Sequence, residues 1–396
     1  MSDTVNVISQ SQRAYVDQVP KFSDISDNTA RTMIVAPQRD HHIKPFNLID
    51  PEGLAAPFLK TYAKGRTTPL EPALVSWGRN VTVSGTGLIL SADKDIYPES
   101  CIREHHAFYS ADKTTVEIKN TDPIDQISNR VSQPTIILTG VWPLHFSHWT
   151  YDNYAKLCFV KQLLGSIKGY KVAVGFGTRR GGWCKPTSVQ FECLSLLGIK
   201  HEDVIMLPED KWTHFDQAIF MTEVNNYKPP VDKIWNAPEI MEFFDDVFDN
   251  AKLQRRKPKH RIHLSRIDNA NRKCMNETEV LEKSADFGFE DKTISGMTMA
   301  EQMQYFSDIE IACGPAGNNL ITMFAMQRGS KIVTYFPSQA SHIIAYYQSY
   351  CSDLGIDLYA ICGSKFWWEG DTKALDNLRW DVDVSSVIDV LDKITG

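Results

Sequence analysis

Two side chains four residues apart, His148 and Asp152, have the chemistry and spacing needed to move a proton. They lie in a stretch whose apolar residues recur at helical spacing, so both fall on one face of a predicted helix, about a turn apart. A carboxylate beside an imidazole raises its basicity and fixes its tautomer, which suits a general base. Either residue could accept the proton. The alternatives are a purely structural role for the pair or, less favoured, a metal site that includes His145.

A strand, a glycine turn and a helix start follow one another in residues 308–326, and together they predict an anion site. The helix is predicted to begin at or near Gly317. A helix N-terminus presents free N–H groups and the positive end of the dipole, and phosphate is the commonest anion bound there in α/β proteins. Gly314, Pro315, Gly317 and the N–H groups near Asn318 are therefore predicted to hold a phosphate-containing ligand. The alternative is a connection that binds nothing.

Two arginines, Arg266 and Arg272, could supply the positive charge that such a ligand needs. They follow the predicted strand 261–265, and ligands of α/β proteins gather beyond the carboxyl ends of parallel strands. A guanidinium can hold a phosphate through two hydrogen bonds, although capping or surface ion pairs would also explain both residues. Glu301, with Gln302 beside it, is predicted to accept hydrogen bonds from a ribose; a helix cap explains the glutamate equally well.

Two further segments carry side chains that could contact a ligand. The loop 178–185 is predicted either to close over a bound ligand or to be an ordinary surface loop. The aromatic run 366–368 could stack on a sugar ring, but packing in a core or an interface is the favoured interpretation. The cations of the loop are Arg179, Arg180 and Lys185.

Strands and helices alternate from about residue 134 onward, and these elements must position the candidate residues. Such alternation requires parallel sheets with crossover connections. The proline pair in 227–230 is the best linker between two alternating blocks. We therefore predict an α/β protein with two Rossmann-like domains facing a cleft. The predicted parts are a polar arm at 1–30, an N-terminal domain at 31–230 with a β-rich start, and a C-terminal Rossmann-like domain at 231–396.

Composition excludes several classes of protein. The 396 residues are enough for two domains with their own cores, and the net charge of −7 argues against general nucleic-acid binding. Eight scattered cysteines without C-x-x-C indicate a reducing compartment. No signal peptide and no membrane-spanning run is apparent, so we expect a cytoplasmic protein. The basic run 255–261 favours a solvated helix end and loop over a patch for weak association with a membrane surface.

Three blocks of residues, in order and at fitting spacings, resemble glycosyltransferase family 61 over about residues 135–396. Each block alone is a weak signal, whereas the ordered set is fairly specific. The blocks are His148-Trp-Thr-Tyr-Asp152; Ile262-His-Leu-Ser-Arg266 through Arg272 to Asn276-Glu277; and Ala300-Glu-Gln302 through Gly314-Pro-Ala-Gly317 to Gly329-Ser330.

The resemblance implies a GT-B fold and an inverting transfer from a nucleotide-sugar donor, with a UDP-sugar favoured, to a glycan or lipid-linked acceptor. It implies no obligatory metal and no cofactor. An inverting transfer needs a base on one face of the anomeric carbon and positive charge near the departing diphosphate. By this resemblance His148 and Asp152 would form the base, and Arg266, Arg272 and the glycine turn would hold the donor.

Three positions depart from the family pattern. Ala316 stands where the family usually has His, Asn318 where it has Ala, and Asn319 where it has Gly. The side chain missing at 316 supports a second hypothesis, a catalytically silent member that binds a nucleotide sugar or glycan. A third hypothesis, an unrelated Rossmann enzyme such as an epimerase or dehydrogenase, is disfavoured because no G-x-G-x-x-G follows the first strand of either block.

Overall fold

The chain divides into two compact units, each formed by two separate segments. The N-terminal unit comprises Met1–Arg39 and Leu70–Asn225, and the C-terminal unit comprises Asp40–Pro69 and Asn226–Gly396. Only the backbone is described at 107–109, 178–179, 182–183 and 188. The computed structural model describes residues 3–8, 13–26, 30–97, 99–100, 107–109, 115–118, 122–140, 146–175, 178–179, 182–183, 188–208, 211–222, 239–269, 271–294, 296–370 and 377–396.

Strands and helices both occur in each unit, so the fold is α/β as predicted. The described strands, in chain order, are β1 (Asp3–Asn6), β2 (Arg13–Tyr15), β3 (Ala30–Ala36), β4 (Arg39–Ile43), β5 (Asn47–Ile49), β6 (Arg66–Leu70), β7 (Ala73–Ser84), β8 (Ile89–Leu90), β9 (Ala107–Tyr109), β10 (Thr115–Ile118), β11 (Ile127–Val131), β12 (Thr135–Leu138), β13 (Lys171–Gly175), β14 (Thr178–Arg179), β15 (Gly182–Trp183), β16 (Val204–Leu207), β17 (Trp212–Met221), β18 (His260–Leu264), β19 (Lys273–Cys274), β20 (Phe289–Lys292), β21 (Ile309–Pro315), β22 (Lys331–Phe336), β23 (Asp357–Cys362), β24 (Lys365–Trp368) and β25 (Leu378–Asp381).

The helices differ in type as well as in length. The described α-helices are α1 (Pro57–Tyr62), α2 (Phe146–His148), α3 (Leu157–Leu164), α4 (Ser188–Leu196), α5 (Glu239–Asn250), α6 (Glu277–Ser284), α7 (Met299–Phe306), α8 (Ser341–Leu354) and α9 (Val384–Thr395). One π-helical turn, Trp149–Asn153, and the 3₁₀ segments Phe22–Asp24, Tyr154–Lys156, His201–Asp203, Ala285–Phe287, Asn318–Ala325 and Ser338–Ala340 complete the described set. No helix in these described ranges is long and apolar enough to cross a membrane.

A six-stranded parallel sheet, in the order β20-β18-β21-β22-β23-β5, forms the centre of the C-terminal unit. Its inner strands β21 and β22 are almost wholly buried, as their continuous apolar sequences indicate for a sheet covered on both faces. From β18 the chain first adds β20 on one side and then β21 on the other. This reversal of direction creates a crevice beyond the carboxyl ends of β18 and β21, the usual place for a ligand in an open α/β sheet.

A mixed sheet in the order β16-β13-β12-β17-β7-β3-β2 forms the centre of the N-terminal unit. Strands β16, β13, β12 and β17 are parallel, and β7 then pairs antiparallel with β17. The chain adds β13 and β16 on one side of β12 before it places β17 on the other side. The reversal therefore lies at β12 and β17, and the described helical segment at 146–164 is the first one after β12.

Local structure bears on several of the predictions. The predicted β-rich start of the N-terminal domain includes an antiparallel pair, β7 and β8, around residue 85. The segment after the glycine turn is a 3₁₀ helix, not an α-helix. Residues 40–69, which the sequence assigned to the N-terminal domain, group with the C-terminal unit. The predicted proline linker at 227–230 lies outside the described residues.

Candidate functional site

The helical segment from Phe146 to Leu164 changes its winding where it carries the candidate base. The α2 turn runs into the π-helical turn, then into a 3₁₀ turn, and only then into α3. π-Turns inside helices are rare and often mark functional sites. The aromatic rings of Trp149 and Tyr154 anchor this segment, since both are buried and stack with their centroids 6.2 Å apart.

His148 and Asp152 are hydrogen-bonded to each other within this segment. The His148 Nδ1 atom lies 2.6 Å from Asp152 Oδ2. The Asp152 side chain is 0% exposed, whereas that of His148 is 17% exposed. An ionised carboxylate can only accept, so Nδ1 carries the proton in the neutral ring and Nε2 is the nitrogen with a basic lone pair. The imidazole therefore has the tautomer and the solvent access that a general base requires.

A buried lysine, Lys156, lies one further turn along the same segment. Its side chain is in the interior, and its ammonium donates a hydrogen bond to the Thr139 carbonyl at 2.6 Å. Thr139 directly follows β12, so this bond ties the helical segment to the carboxyl end of that strand. The Asn153 amide also donates to the His148 carbonyl at 3.0 Å. These two bonds hold the segment that carries the histidine in place.

In the C-terminal unit, Arg266 lies just beyond β18 and reaches the turn that follows β21. Its Nη1 donates to the Ala316 carbonyl at 2.9 Å. The buried carboxylate of Glu277 accepts a hydrogen bond from the Arg266 backbone N–H at 2.7 Å. Burial, followed by the neighbouring charge of Arg272, lowers the pKa of the Arg266 guanidinium below its usual value. The guanidinium thus lies in the crevice at the point where the strand order reverses.

Gly314 and Gly317 permit close packing of the turn after β21. A Cβ at Gly314 would lie 2.6 Å from the Leu264 carbonyl oxygen, and the φ of 154° is itself rare for other residues. A Cβ at Gly317 would lie 2.1 Å from Arg266 Nη1, although its backbone is extended. Space and backbone conformation therefore require glycine at 314, whereas a Cβ at 317 would displace the Arg266 guanidinium. The Pro315 backbone is part of β21 and pairs with β22.

Most backbone N–H groups of this turn already have partners. The Ala316 N–H donates to the Tyr335 carbonyl at 2.9 Å, and the Gly317 N–H donates to the Tyr347 hydroxyl at 2.9 Å. The Gly317 N–H was predicted to help hold a phosphate, but in this structure the phenol accepts its hydrogen bond. The first N–H groups of the 3₁₀ helix, those of Asn318 and Asn319, are the ones that helix geometry leaves free.

Arg272 adds a second positive charge next to Arg266. Its backbone has a positive φ of 50°, and its carbonyl accepts a hydrogen bond from the Trp380 indole at 2.8 Å. The buried Nε atom of Arg272 has no hydrogen-bond partner among the described residues. Burial, and after it the charge of Arg272, lowers the pKa of His342, which lies in the first turn of α8. Buried donors normally have partners, so Nε is available to an acceptor such as a water or a ligand atom.

The buried carboxyl of Glu277, which bonds the Arg266 backbone, helps to hold Arg266 in place. Burial raises the pKa of the Glu277 carboxyl above its usual value, although hydrogen bonds from Arg266 and Ser265 oppose that rise. Nearby, His263 is 0% exposed, and its Nε2 lies 2.9 Å from the Tyr335 hydroxyl. Burial lowers the pKa of His263 to about 4, so the imidazole is neutral at physiological pH.

Glu301 and Gln302 both have partners inside the protein. Glu301 closes a capping box with Thr298: its carboxylate accepts from the Thr298 N–H at 2.8 Å, and its own N–H donates to the Thr298 hydroxyl. Hydrogen bonds from the Thr298 N–H and hydroxyl to the carboxylate lower the pKa of Glu301. The Gln302 carbonyl oxygen accepts from the Thr322 hydroxyl at 3.0 Å. Gln302 thereby links α7 to the 3₁₀ helix that follows the glycine turn.

The remaining predicted residues lie in less informative places. For Arg179 only the backbone is described, and Arg180, Lys185 and the candidate metal ligand His145 lie outside the described residues. In the part of the chain that is described, no cluster of three or more His, Cys, Asp or Glu side chains could hold a metal. Phe366 and Trp367 are exposed on β24, so neither is a core residue.

Sequence reasoning missed two residues of the C-terminal site, Tyr347 and His342. Both lie on α8, and neither belongs to a recognisable motif. Tyr347 lies 30 residues beyond Gly317 in the chain. Only the packing of α8 against the sheet brings them to the carboxyl ends of β18 and β21. The spacing of Arg266 and Arg272 after a strand, in contrast, was a usable signal.

The family model described as Glycosyltransferase 61 matches residues 146–333 of the chain. This match confirms the resemblance that the three sequence blocks indicated. The matched segment includes His148, Asp152, both arginines and the glycine turn, and it ends before α8. No curated protein matches the chain.

Proposed function

Because residues 146–333 match the family model described as Glycosyltransferase 61, we propose that this protein is an inverting glycosyltransferase. It moves a sugar from a nucleotide-diphosphate sugar to a hydroxyl of a glycan or lipid-linked acceptor. The observation that carries this proposal is the hydrogen-bonded pair of His148 and Asp152 inside the matched segment. A UDP-sugar is the favoured donor, and the mechanism requires neither a metal nor a cofactor.

His148 is the general base in this proposal, and Asp152 is its positioning residue. The acceptor hydroxyl must lose a proton as it attacks the anomeric carbon, and the atom that takes this proton must be reachable. Asp152 is fully buried, whereas the histidine is partly exposed and its Nδ1 is already bonded to the carboxylate. Nε2 therefore takes the proton, and the buried carboxylate stabilises the imidazolium that forms.

Arg266, Arg272 and the N–H groups of Asn318 and Asn319 hold the diphosphate. The departing diphosphate gains negative charge as the glycosidic bond to the donor breaks, and fixed positive groups stabilise that charge. Two guanidinium groups at the crevice beyond β18 and β21 supply it without a metal ion. The free Nε of Arg272 supports this assignment, because a phosphate oxygen is the acceptor that it lacks.

A GT-B architecture is part of the same proposal. Two observations support it: the C-terminal unit is built on a six-stranded parallel sheet, and in the N-terminal unit the proposed base lies on the helical segment that follows the parallel strand β12. The protein would then act in the cytoplasm on a glycan or glycolipid acceptor.

Release of UDP, GDP or CMP from a panel of UDP-, GDP- and CMP-sugars, with and without acceptor glycans, tests the proposal. Release that depends on an acceptor, with inverted configuration in the product, is the expected result. Binding of a donor without turnover under all acceptors would instead favour the catalytically silent alternative, which Ala316 motivates. Hydride transfer or epimerisation would contradict the transferase assignment.

Substitutions of the proposed base give a second test. His148→Ala and Asp152→Asn should each lower turnover by about 10²-fold or more, because general base catalysis contributes on that scale. His201→Ala, an exposed histidine of the same unit, is the matched control and should leave turnover unchanged. Wild-type rates in both site variants would remove the base assignment.

Loss of a donor-side arginine should have a different kinetic effect. Arg266→Ala should mainly raise the KM for the donor, because the guanidinium binds the diphosphate in the ground state as well as later. Arg256→Ala serves as the control, since that arginine is exposed and paired with Asp308. Full activity and an unchanged KM in Arg266→Ala would exclude the diphosphate role.

A further inference from the structure

We propose that Tyr347 is a positioning residue that fixes the anion-binding turn at Ala316 and Gly317; this inference rests on the proposed function. The Tyr347 hydroxyl accepts a hydrogen bond from the Gly317 N–H at 2.9 Å and donates one to the Gly317 carbonyl at 2.5 Å. One phenol thus satisfies both backbone groups of a single residue. Tyr347 lies on α8, beyond the segment that matches the family.

The opposite side of the turn is held by Arg266. Its Nη1 donates to the Ala316 carbonyl at 2.9 Å, and the guanidinium packs so closely that a Cβ on Gly317 would lie 2.1 Å from the same nitrogen. The peptide between Ala316 and Gly317 is therefore clamped between a guanidinium and a phenol. Its backbone is extended, so space and these hydrogen bonds fix its position, not a restricted torsion angle.

The clamp determines where the free N–H groups of the site lie. The 3₁₀ helix begins at Asn318, immediately after the clamped peptide, and its first turn is closed by the Leu320 N–H, which donates to the Gly317 carbonyl at 3.2 Å. The Gly317 carbonyl accordingly accepts from both Tyr347 and Leu320. A shift of Gly317 would move the N–H groups of Asn318 and Asn319 with it. Preorganised donors of this kind bind a charged ligand without reorganisation.

The phenol has the protonation state that this role demands. Tyr347 is 1% exposed, and burial raises the pKa of its hydroxyl above the usual value. It therefore keeps its proton at physiological pH and can donate to the Gly317 carbonyl. An ionised phenolate could not make that bond, and it would place a negative charge beside the diphosphate.

Tyr347→Phe tests the role, because it removes both hydrogen bonds and retains the ring. We expect its affinity for UDP, GDP or ADP, whichever the wild-type protein binds, to fall about tenfold in titration calorimetry, as the loss of one to two hydrogen bonds would cause. With saturating donor, kcat should change much less than KM, since the base lies elsewhere. Exchange of backbone amides in residues 313–320 should also accelerate.

Tyr335→Phe is the matched control. It removes a buried phenol of the same unit that bonds His263 and makes no side-chain bond to the turn. Tyr335→Phe loses one buried hydrogen bond and Tyr347→Phe loses two, so a loss of thermal stability is expected in both, whereas only Tyr347→Phe should weaken nucleotide binding. Equal affinities in the two variants and the wild type would overturn this inference alone. Failure of the wild-type protein to bind any of the three nucleotides would overturn the proposed donor site as well.

Discussion

The protonation of His263 should make the stability of the protein depend on pH. Its pKa is about 4 in the folded state, against an ordinary value of 6.5, because of burial. Between those values the unfolded chain binds more protons, so the free energy of unfolding falls as the pH falls through this window. We expect His263 to account for a loss of about 2 kcal/mol between pH 7 and pH 5.

Urea unfolding of the wild-type protein and of His263→Gln at both pH values measures this effect. Glutamine keeps a hydrogen-bonding group beside Tyr335 but does not titrate. The pKa values of His214 and His342 are also lowered, and burial is the main cause in both. Their contributions persist in the variant, so the difference between the two proteins isolates His263. Identical pH dependence in both proteins would contradict the prediction.

At the residue scale, the sequence predicts contacts between residues of the same helix, but it does not predict contacts between residues of distant elements. The spacing of His148 and Asp152 is enough to predict their contact, since i and i+4 side chains of a helix meet. The bond from Tyr347 to Gly317 joins residues 30 positions apart on different elements. Nothing in the local sequence around Tyr347 signals that bond, because it depends on how α8 packs on the sheet.

At the scale of elements, a buried ion pair anchors the edge strand β2. The Arg13 guanidinium bonds the Glu99 carboxylate, which also accepts from the Ser76 hydroxyl at 2.6 Å; the Arg13 and Glu99 side chains are 3% and 0% exposed. Removal of one partner from a buried pair leaves an uncompensated charge. We therefore expect Glu99→Gln to lower the free energy of unfolding by about 3–5 kcal/mol in urea titrations.

The exposed pair of Lys94 and Asp125 provides the control for this experiment. Both side chains are at least half exposed, so Asp125→Asn should cost less than about 1 kcal/mol. A similar small cost for Glu99→Gln would show that β2 does not depend on the buried pair. The polar composition of residues 1–30 predicts an arm and not β2, because Glu99, the partner of Arg13, lies far along the chain.

The regular alternation of strands and helices made the central strands predictable from the sequence. The type of each helix, whether α, π or 3₁₀, was not predictable. All four residues of the run Thr135–Leu138 are buried, and three of them are apolar, as expected for a parallel strand. The π-helical turn at Trp149–Asn153 and the 3₁₀ helix at Asn318–Ala325 both lie where an ordinary helix was expected. Such changes in winding arise from packing around the site, and residue periodicity does not record them.

At the scale of the whole molecule, the C-terminal unit is not continuous in sequence. The segment Asp40–Pro69 contributes β5 to the edge of the six-stranded sheet. The Gln348 side chain of α8 donates to the Lys44 and Tyr62 carbonyls at 2.9 and 2.6 Å, and His41 pairs with Asp353 at 3.1 Å. Strand pairing and α8 together hold this segment in the unit.

A fragment of residues 226–396 alone should consequently be much less stable than the same unit within the whole chain. It would expose one edge of β23 and leave Gln348 and Asp353 without these partners. We expect it to aggregate or to melt at a lower temperature in calorimetry. The control is a fusion in which residues 40–69 are joined to the fragment through a flexible linker, which should restore cooperative melting. Equal melting of the fragment and the fusion would contradict this account.

The segment 40–69 also fixes the order in which parts of the C-terminal unit are synthesised. On the ribosome, β5 is made about 300 residues before its neighbour β23. At a rate of synthesis of about 5–20 residues per second, this segment remains without its partner strand for roughly 15–60 s. During that interval β5 and α1 can make wrong contacts with other nascent strands. The C-terminal unit can therefore fold only after the last third of the chain has been made and has bound residues 40–69. We expect the yield of folded protein to depend on the speed of translation.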